Sequence, residues 1–334
     1  MTEGLKTPLT EMLGITAPIV QAPIGDLAPP RLVAAVSNAG GLGMHPLSWT
    51  EPEALEGIIA ETRELTAKPF GVNLVLDFEQ DERLGICLDA GVELISFFWG
   101  DPAPFVGRVH AAGAKAMHTV ASADEAKRAV DAGVDVIVAQ GWEAGGHVWG
   151  EVGGMALIPA VVDAVGEVPV IAAGGIADGR GLAAALMLGA AGVWMGTRFV
   201  ASAEATTHPG YQDLVIAARE TDTTHSKLFD GGWPDAALRT LNNSTVETWR
   251  AAGCPPPGAR PGEGEPIATE PGGHPVMRYD VSCPSDGVEG DWEAMALYAG
   301  QSAGLVGEVK PAAEIVADTV AEARRLLARW AGQT

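Results

Sequence analysis

The stretch VPVIAAGGIADGRGLAAALMLGAAGVWMGTRF, residues 168–199, decides the fold because it contains one structural unit and the start of the next. An apolar run rich in β-branched residues ends at Gly174-Gly175. An alanine-rich segment with apolar residues three and four apart follows, and a second apolar run ends at Gly196-Thr197. This alternation predicts strand, helix and strand, with the two strands parallel and joined by a right-handed crossover.

The same rhythm extends back to residue 18. The predicted strands are PIVQAPI (18–24), GLGMHPL (41–47), FGVNLVL (70–76), ELISFFW (93–99), KAMHTVA (115–121), DVIVAQG (135–141), VPVIAAG (168–174) and AGVWMGT (191–197). Eight such units, repeating at roughly 25 residues, favour a closed barrel over a doubly wound sheet, which usually has five or six strands. We therefore predict an α/β fold, a (β/α)8 TIM barrel.

The rhythm stops after the eighth strand, so we predict three segments. Residues 1–204 form the first part of the barrel. Residues 205–290 form a mostly helical insertion with a Pro- and Gly-rich loop, a substrate or lid region. Residues 291–334 close the barrel, because PAAEIVADTVAEARRLLARW has the pattern of an amphipathic helix.

Charge and composition exclude several classes of partner. The 334 residues carry 43 Asp and Glu against 21 Lys and Arg, a formal net charge of −22, which repels nucleic acid and anionic membranes. No secretory signal and no run of about 20 apolar residues is visible. Cys87, Cys254 and Cys283 lack metal-ligand spacing. We expect a cytoplasmic enzyme of small molecules without a bound metal; the composition is compatible with a homodimer.

Barrel active sites lie at the carboxyl ends of the strands, which here carry polar residues and glycines. Gly174-Gly175 and Gly196-Thr197 follow strands seven and eight, where barrels commonly hold a phosphate on backbone amides, although glycines also serve simple tight turns. The amide side chains of Asn73 and Gln140 suit the polar edge of a flavin ring. No lysine ends a strand, which argues against Schiff-base chemistry. These features together favour flavin mononucleotide (FMN).

Several motifs resemble those of the nitronate monooxygenase family, formerly called 2-nitropropane dioxygenases. They are QAPIG, SNAGGLG, FGVNL, AQGWEAGGHVWG, PVIAAGGIADGRGLAAALMLGAAGVWMGTRF and YAGQSAGLV, within residues 5–205 and 290–332. Flavin-dependent enoyl-acyl-carrier-protein reductases and NADH:quinone reductases of the same fold share them in part. The resemblance implies a TIM barrel that binds FMN noncovalently and oxidises alkyl nitronates with O₂ to a carbonyl compound and nitrite.

The resemblance also implies site residues, which we combine with the strand-end residues. His147 matches the catalytic histidine of the family. At position 194 the family often has glutamine, so Trp194 implies a backbone contact, and residues 250–290 match no family motif. The predicted cofactor-binding set is Ala22, Asn73, Thr119, Gln140, Gly141, Gly145, Gly174, Gly175, Trp194, Met195, Gly196 and Thr197.

His147 follows the sixth strand behind Gly145-Gly146, whereas most loop histidines are solvated surface residues. With an ordinary pKa near 6.5 it could act as a general base, typically worth 10²–10⁴-fold in rate. In its protonated form it could instead hold the oxygens of a nitronate anion. Other candidates with both structural and functional interpretations are His45, His118, Glu143, Tyr298 and Ser302.

The sequence leaves three functions open. The first is FMN-dependent oxidation of nitronates by O₂. The second is an NAD(P)H-dependent flavin reductase acting on a quinone or an enoyl thioester. The third is a barrel that binds a phosphate ligand without flavin chemistry. The sequence does not determine the physiological substrate.

Overall fold

The computed structural model describes residues 4–331 and confirms the predicted barrel. One sheet contains eight parallel strands in the order β1-β9-β8-β6-β5-β4-β3-β2. The first nine strands, of which β7 lies outside the barrel, are Ile19–Gln21 (β1), Gly43–Pro46 (β2), Phe70–Val75 (β3), Leu94–Phe98 (β4), Lys115–Val120 (β5), Val136–Gln140 (β6), Gly146–His147 (β7), Val170–Ala173 (β8) and Gly192–Met195 (β9). Every predicted strand thus contains an observed one. The ends of the predicted terminal segments, residues 1–3 and 332–334, lie outside the described residues.

The barrel closes between β1 and β2, where only a few backbone hydrogen bonds join the two segments. Leu42 N donates to Ile19 O, and Gln21 N donates to Leu42 O, both at 2.9 Å. The buried Gln21 side chain continues the ladder, because its Oε1 accepts from Met44 N at 3.1 Å and its Nε2 donates to Met44 O at 3.2 Å. A side-chain amide therefore substitutes for a peptide group at the seam, and no sheet edge is left unpaired there.

The strands place alternate residues on the two faces of the sheet. Met44, Met117, Val138 and Ile171 belong to the cluster that fills the barrel. Their neighbours along the strands pack outward against the helices. The helices of the described chain are Pro8–Leu13 (α1), Pro30–Asn38 (α2), Pro52–Leu65 (α3), Asp81–Asp89 (α4), Ala103–Ala111 (α5), Ala123–Asp131 (α6), Gly154–Val165 (α7), Gly179–Met187 (α8), Thr197–Val200 (α9), Pro209–Ala217 (α10), Ser244–Ala251 (α11) and Ala312–Ala331 (α12).

The amphipathic helix α12 completes the helical ring by packing against α8 and α2, as predicted for the closing segment. The approach of α8 and α12 requires Gly179, since a Cβ at this position would lie 2.5 Å from Ala323 N. Gly179 N also donates to Glu322 Oε2 at 3.0 Å. None of the helices in residues 4–331 is long and apolar enough to cross a membrane.

Residues 205–290 are less helical than predicted, and this part of the prediction is corrected. Helices α10 and α11 account for only part of the segment, which also contains short strands. The stretch DAALRTLNNSTVETWRAAG (235–253), which has a helical composition, contains a strand and then a helix. Asn243 is the N-cap of α11, because its side chain accepts from Val246 N. The additional strands are Thr223–Ser226 (β10), Leu238–Leu241 (β11), Pro266–Thr269 (β12), Pro275–Met277 (β13) and Glu289–Gly290 (β14). They form two small sheets, β10-β11-β7 and β13-β12-β14.

Candidate active site

Polar side chains from four strands face the carboxyl-terminal mouth of the barrel. Asn73 lies in β3, Thr119 lies in β5 and Gln140 ends β6; all three are buried and share the inward face with Met117 and Val138. Ser96 of β4 has the same orientation and is fully buried. The sequence analysis missed Ser96, although a polar residue at an inward position of an apolar strand could have indicated it.

Three of these side chains have polar atoms without a partner. Asn73 Oδ1, Ser96 Oγ and Gln140 Oε1 are buried and make no hydrogen bond within the described chain. Leaving a buried polar atom unpaired costs about 1–3 kcal/mol. The mouth therefore offers hydrogen-bonding groups to a polar planar ligand, and the edge of a flavin ring, which carries both donors and acceptors, matches them. Gln140 is held for this role by a 3.1 Å hydrogen bond from its Nε2 to His147 O.

The turns after β8 and β9 can hold a phosphate. Gly174 and Gly175 have φ angles of +96° and +72°, which glycine adopts readily, and they have no side chains to keep an anion away from their N–H groups. Gly196 follows the neighbouring strand β9, and Thr197 begins α9. Ala22 lies against Gly196, where an added Cβ would be 3.5 Å from Ala22 Cβ. The residues present thus fit the phosphate of FMN.

Two residues next to this turn have restricted roles. Met195 is fully buried among side chains on the helical face of the sheet, so it offers the mouth only its backbone. Trp194 points inward and packs against the barrel interior.

Gly141 and Gly145 are required by packing. A Cβ on Gly145 would lie 2.3 Å from Gly300 N, and one on Gly141 would lie 2.8 Å from Gly154 N. These glycines let the turn after β6 approach two other segments of the chain. Contact of either residue with a cofactor stays a prediction.

His147 lies in strand β7, not in the free turn suggested by its sequence context. It pairs with Leu238 of β11, so the insertion fixes its backbone. Its Nε2 is buried and has no hydrogen-bond partner within the described chain. Burial lowers the pKa of His147 to about 3, because desolvation disfavours the imidazolium. The side chain is therefore neutral near pH 7 and a weak base in the free protein, with one ring nitrogen left without a hydrogen bond.

Aromatic rings surround His147. Trp233 stacks on the imidazole with centroids 4.1 Å apart and planes at 33°. Tyr298 lies 5.6 Å away, and Trp99 meets the imidazole edge-on at 6.5 Å. These neighbours exclude water from the ring, which accounts for its low pKa.

An aromatic wall, formed by Trp99, Trp149, Trp233, Phe98 and Phe78, extends from His147. Trp233 Nε1 donates to Asp77 Oδ2 at 2.7 Å. Trp99 has a φ angle of +63°, a rare conformation for a bulky residue that is often found at functional sites. The sequence analysis missed both residues, because Trp99 ends the predicted strand 93–99 but is neither polar nor glycine, and Trp233 lies in the insertion, outside every predicted strand.

The two remaining histidine candidates both lie on the outward face of the barrel sheet. His45 faces the helical layer, where its Nε2 lies 2.8 Å from Thr62 Oγ1, and burial lowers its pKa to about 4. His118 shares the outward face of β5 with Ala116 and Val120, and burial likewise lowers its pKa to about 4. Both are core residues outside the barrel mouth.

The other candidates also acquire definite positions. Tyr298 lies beside His147, and its hydroxyl donates to Val281 O at 2.7 Å. Ser302 is buried in the short 3-10 helix Gln301–Leu305. The Glu143 carboxylate accepts from Gly154 N at 2.9 and 3.0 Å, so it caps α7 and does not orient His147.

The family model described as Nitronate monooxygenase matches residues 6–84 and 76–322. The chain belongs to this family. Among curated relatives, it is 40% identical over 250 residues to (3aS,4S,5R,7aS)-5-hydroxy-7a-methyl-1-oxo-octahydro-1H-indene-4-carboxyl-CoA dehydrogenase of Rhodococcus jostii, covering 75% of this chain and 69% of that protein. It is 36% identical over 288 residues to a probable nitronate monooxygenase of Staphylococcus aureus, covering 72% and 80%.

Solved structures agree with this membership. FabK from Thermotoga maritima superposes with a TM-score of 0.82 at 32% identity, covering 99% of this chain and all of that one. Nitroalkane oxidase from Streptomyces ansochromogenes superposes with a TM-score of 0.76 at 28% identity, covering 96% and 99%. The nitronate monooxygenase family member described here is therefore an enzyme, a flavin-type oxidoreductase.

Proposed function

We propose that this enzyme uses FMN to oxidise alkyl nitronates with O₂, giving a carbonyl compound and nitrite. The observation that carries the proposal is the state of His147. Its imidazole is neutral, its Nε2 is buried without a partner, and aromatic rings shield it from water. The unpaired Nε2 is positioned to hydrogen-bond to a bound substrate, and a negative charge on that substrate would raise the low pKa of the imidazole.

The chain's own residues would hold FMN at the barrel mouth. Asn73 and Gln140 would bind the polar edge of the ring, with Ala22 and Thr119 beside it. Gly174-Gly175 and Gly196-Thr197 would bind the phosphate through backbone amides and the Thr197 hydroxyl. When bound, FMN supplies the electron acceptor and the reaction with O₂, chemistry that no side chain provides.

His147 would act as a base toward a neutral nitroalkane, whose α-carbon must lose a proton before oxidation. A nitronate has already lost that proton, so His147 matters less for it. With a pKa near 3 in the free enzyme, the imidazolium form would hold the nitronate oxygens only where the bound anion raises that pKa. The aromatic wall would hold the alkyl part and exclude water.

A second function is favoured by the relatives and by the size of that wall. Oxidoreduction of an acyl thioester, with NAD(P)H as the partner of the flavin, fits the names of the Rhodococcus relative and of FabK. A wall of five aromatic rings is also more extensive than a small nitroalkane requires.

Anaerobic stopped-flow spectroscopy separates the two functions. FMN-loaded protein is mixed in turn with ethylnitronate, NADH and NADPH. Reduction of the flavin by ethylnitronate, with nitrite formed once O₂ is admitted, is the expected result. Fast reduction by a nicotinamide nucleotide and none by the nitronate would replace the first function with the second.

A further inference from the structure

A second cavity lies behind the turn that leads to His147. It has a volume of about 430 Å³. Residues of β10 and β11 form one wall, and Trp142 also lines it. Besides Trp142, its lining includes Arg239, Arg250, Thr224, Gln301 and Glu220. None of these residues belongs to the predicted flavin site.

Arg239 is an unusual residue in this position because it is only 2% exposed; burial lowers the pKa of its guanidinium, and the charge of Glu143 opposes that shift. Its guanidinium donates to Trp142 O at 2.8 Å, Ala144 O at 3.2 Å and Thr223 Oγ1 at 3.3 Å, and it stacks over the Trp142 ring at 4.1 Å. An arginine has five N–H donors, so these three bonds leave two of them over. The nearby Glu143 carboxylate is occupied by Gly154 N.

A second arginine adds positive charge to the same cavity. Arg250 Nη2 donates to Thr224 Oγ1 at 2.6 Å, and its ion pair with Glu247 is long at 3.7 Å. Glu220 also lines the cavity and is exposed, so the lining carries two arginines and one carboxylate. Because Glu247 pairs with Arg250 and Glu143 acts on Arg239, the cavity offers an anion chiefly the unused guanidinium donors of Arg239 and not a net positive charge.

We propose that this cavity binds the phosphate-bearing part of a second substrate, an organic phosphate such as the nucleotide end of a thioester carrier or of a nicotinamide nucleotide. Arg239 would offer its spare donors from a buried position, and Arg250 would add a charge-assisted hydrogen bond near the opening. The proposed subsite rests on the assignment of the protein as a flavin oxidoreductase. It does not depend on whether the enzyme oxidises nitronates or acts on an acyl thioester.

A continuous stretch of chain joins the cavity lining to the reaction centre, and the Arg239 and His147 side chains project from opposite faces of the β10-β11-β7 sheet. The Arg239 guanidinium holds the carbonyls of Trp142 and Ala144, and this stretch continues to His147. Gln301 N donates to Glu143 O at 3.0 Å, and Gly300 N donates to Thr197 Oγ1 at 3.0 Å. The proposed subsite therefore adjoins the predicted flavin phosphate turn without sharing its glycines.

Isothermal titration of the oxidised, FMN-loaded protein with coenzyme A, NADPH, NADH and pyrophosphate tests the proposal without turnover, so the result is independent of nitronate oxidation. We expect Arg250→Gln to raise the Kd of the phosphorylated probe about tenfold or more. Glu220→Gln should lower that Kd several-fold. The matched control is Arg108→Gln, because Arg108 and Arg250 each have 43% of the side chain exposed, and Arg108 lies on the outer helix α5.

Binding of coenzyme A alone would assign a thioester carrier, and binding of a nicotinamide nucleotide alone would assign that cosubstrate; either supports the subsite. Absence of binding by every probe would overturn it. So would equal effects of Arg250→Gln and Arg108→Gln. A rise in the Kd of FMN in Arg250→Gln, equal to that for the probe, would assign the cavity to the flavin. Arg239→Lys keeps the buried charge. It should raise the Kd of the phosphorylated probe while the protein still unfolds cooperatively.

Discussion

The imidazole of His147 stacks on the indole of Trp233, with ring centroids 4.1 Å apart. The two residues come from different parts of the chain: β7 extends from the barrel, and Trp233 belongs to the insertion. The insertion therefore supplies both the strand that pairs with His147 and the ring that shields it. This contact helps to explain why a half-buried residue next to two glycines has a buried Nε2 and is neutral.

Replacement of His147 by glutamine should lower kcat/KM for a neutral nitroalkane by about 10²–10⁴-fold, because proton removal from carbon loses its base. Oxidation of the preformed nitronate should fall much less, since that proton is already gone. Steady-state O₂ consumption with matched nitroethane and ethylnitronate provides the comparison. Equal losses with both substrates would show that His147 binds the substrate and does not act as a base.

Trp233→Leu should raise the pKa of His147 from about 3 towards 6.5, because water reaches the imidazole. The activity toward a neutral nitroalkane would then fall as the pH drops below the new pKa, whereas the wild-type enzyme shows no such loss down to about pH 4. Trp249→Leu, which removes another insertion tryptophan bonded to Pro255 O at 2.9 Å, is the control. Identical pH profiles for all three proteins would contradict the shielding role.

Gly175→Ala should raise the Kd of FMN about tenfold, because a side chain at φ +72° strains the phosphate turn. Fluorescence titration of apoprotein with FMN measures the change. Gly166→Ala is the matched control: its φ is +61°, it has open space around it, and it lies at the end of α7. The control should lose stability without losing affinity for FMN.

Gln21→Leu should lower the free energy of unfolding by about 1–3 kcal/mol, because the Met44 N–H and carbonyl lose their partners at the barrel seam. Urea unfolding followed by circular dichroism gives the value. A change below about 0.5 kcal/mol would mean that the seam relaxes and pairs through the backbone.

Stability should fall as the pH decreases from 6.5 towards 4. The unfolded chain binds a proton at His45 near pH 6.5, whereas the folded protein binds it only near pH 4. Between these values the unfolded state holds more protons, so the free energy of unfolding decreases as the pH falls. From pH 7 to 5, His45→Gln should remove about 2 kcal/mol of this loss. His274→Gln, at an exposed residue, should leave the loss unchanged.

The sequence was sufficient for the barrel because its signals are local. Each apolar run, each helix with residues three and four apart, and each glycine pair at a strand end lies within one short stretch. Asn73, Thr119 and Gln140 could be placed at the mouth for the same reason. The alternation of β5 also contained the position of His118, which follows the inward Met117 and so faces outward.

The insertion could not be predicted to the same degree. Its strands are two to four residues long, too short to show a period against a background of Pro and Gly. Residues 205–290 consequently contain less helix than their pattern suggested.

The sequence by itself determined the barrel, the face on which its site lies and the histidine at that face. Only the tertiary structure decided the protonation state and the surroundings of that histidine. The neutral state of His147 depends on Trp233, Trp99 and Tyr298, and the buried charge of Arg239 depends on carbonyls of the turn after β6. These contacts join segments far apart in the chain, and desolvation is set by everything packed around a group, which no local pattern records.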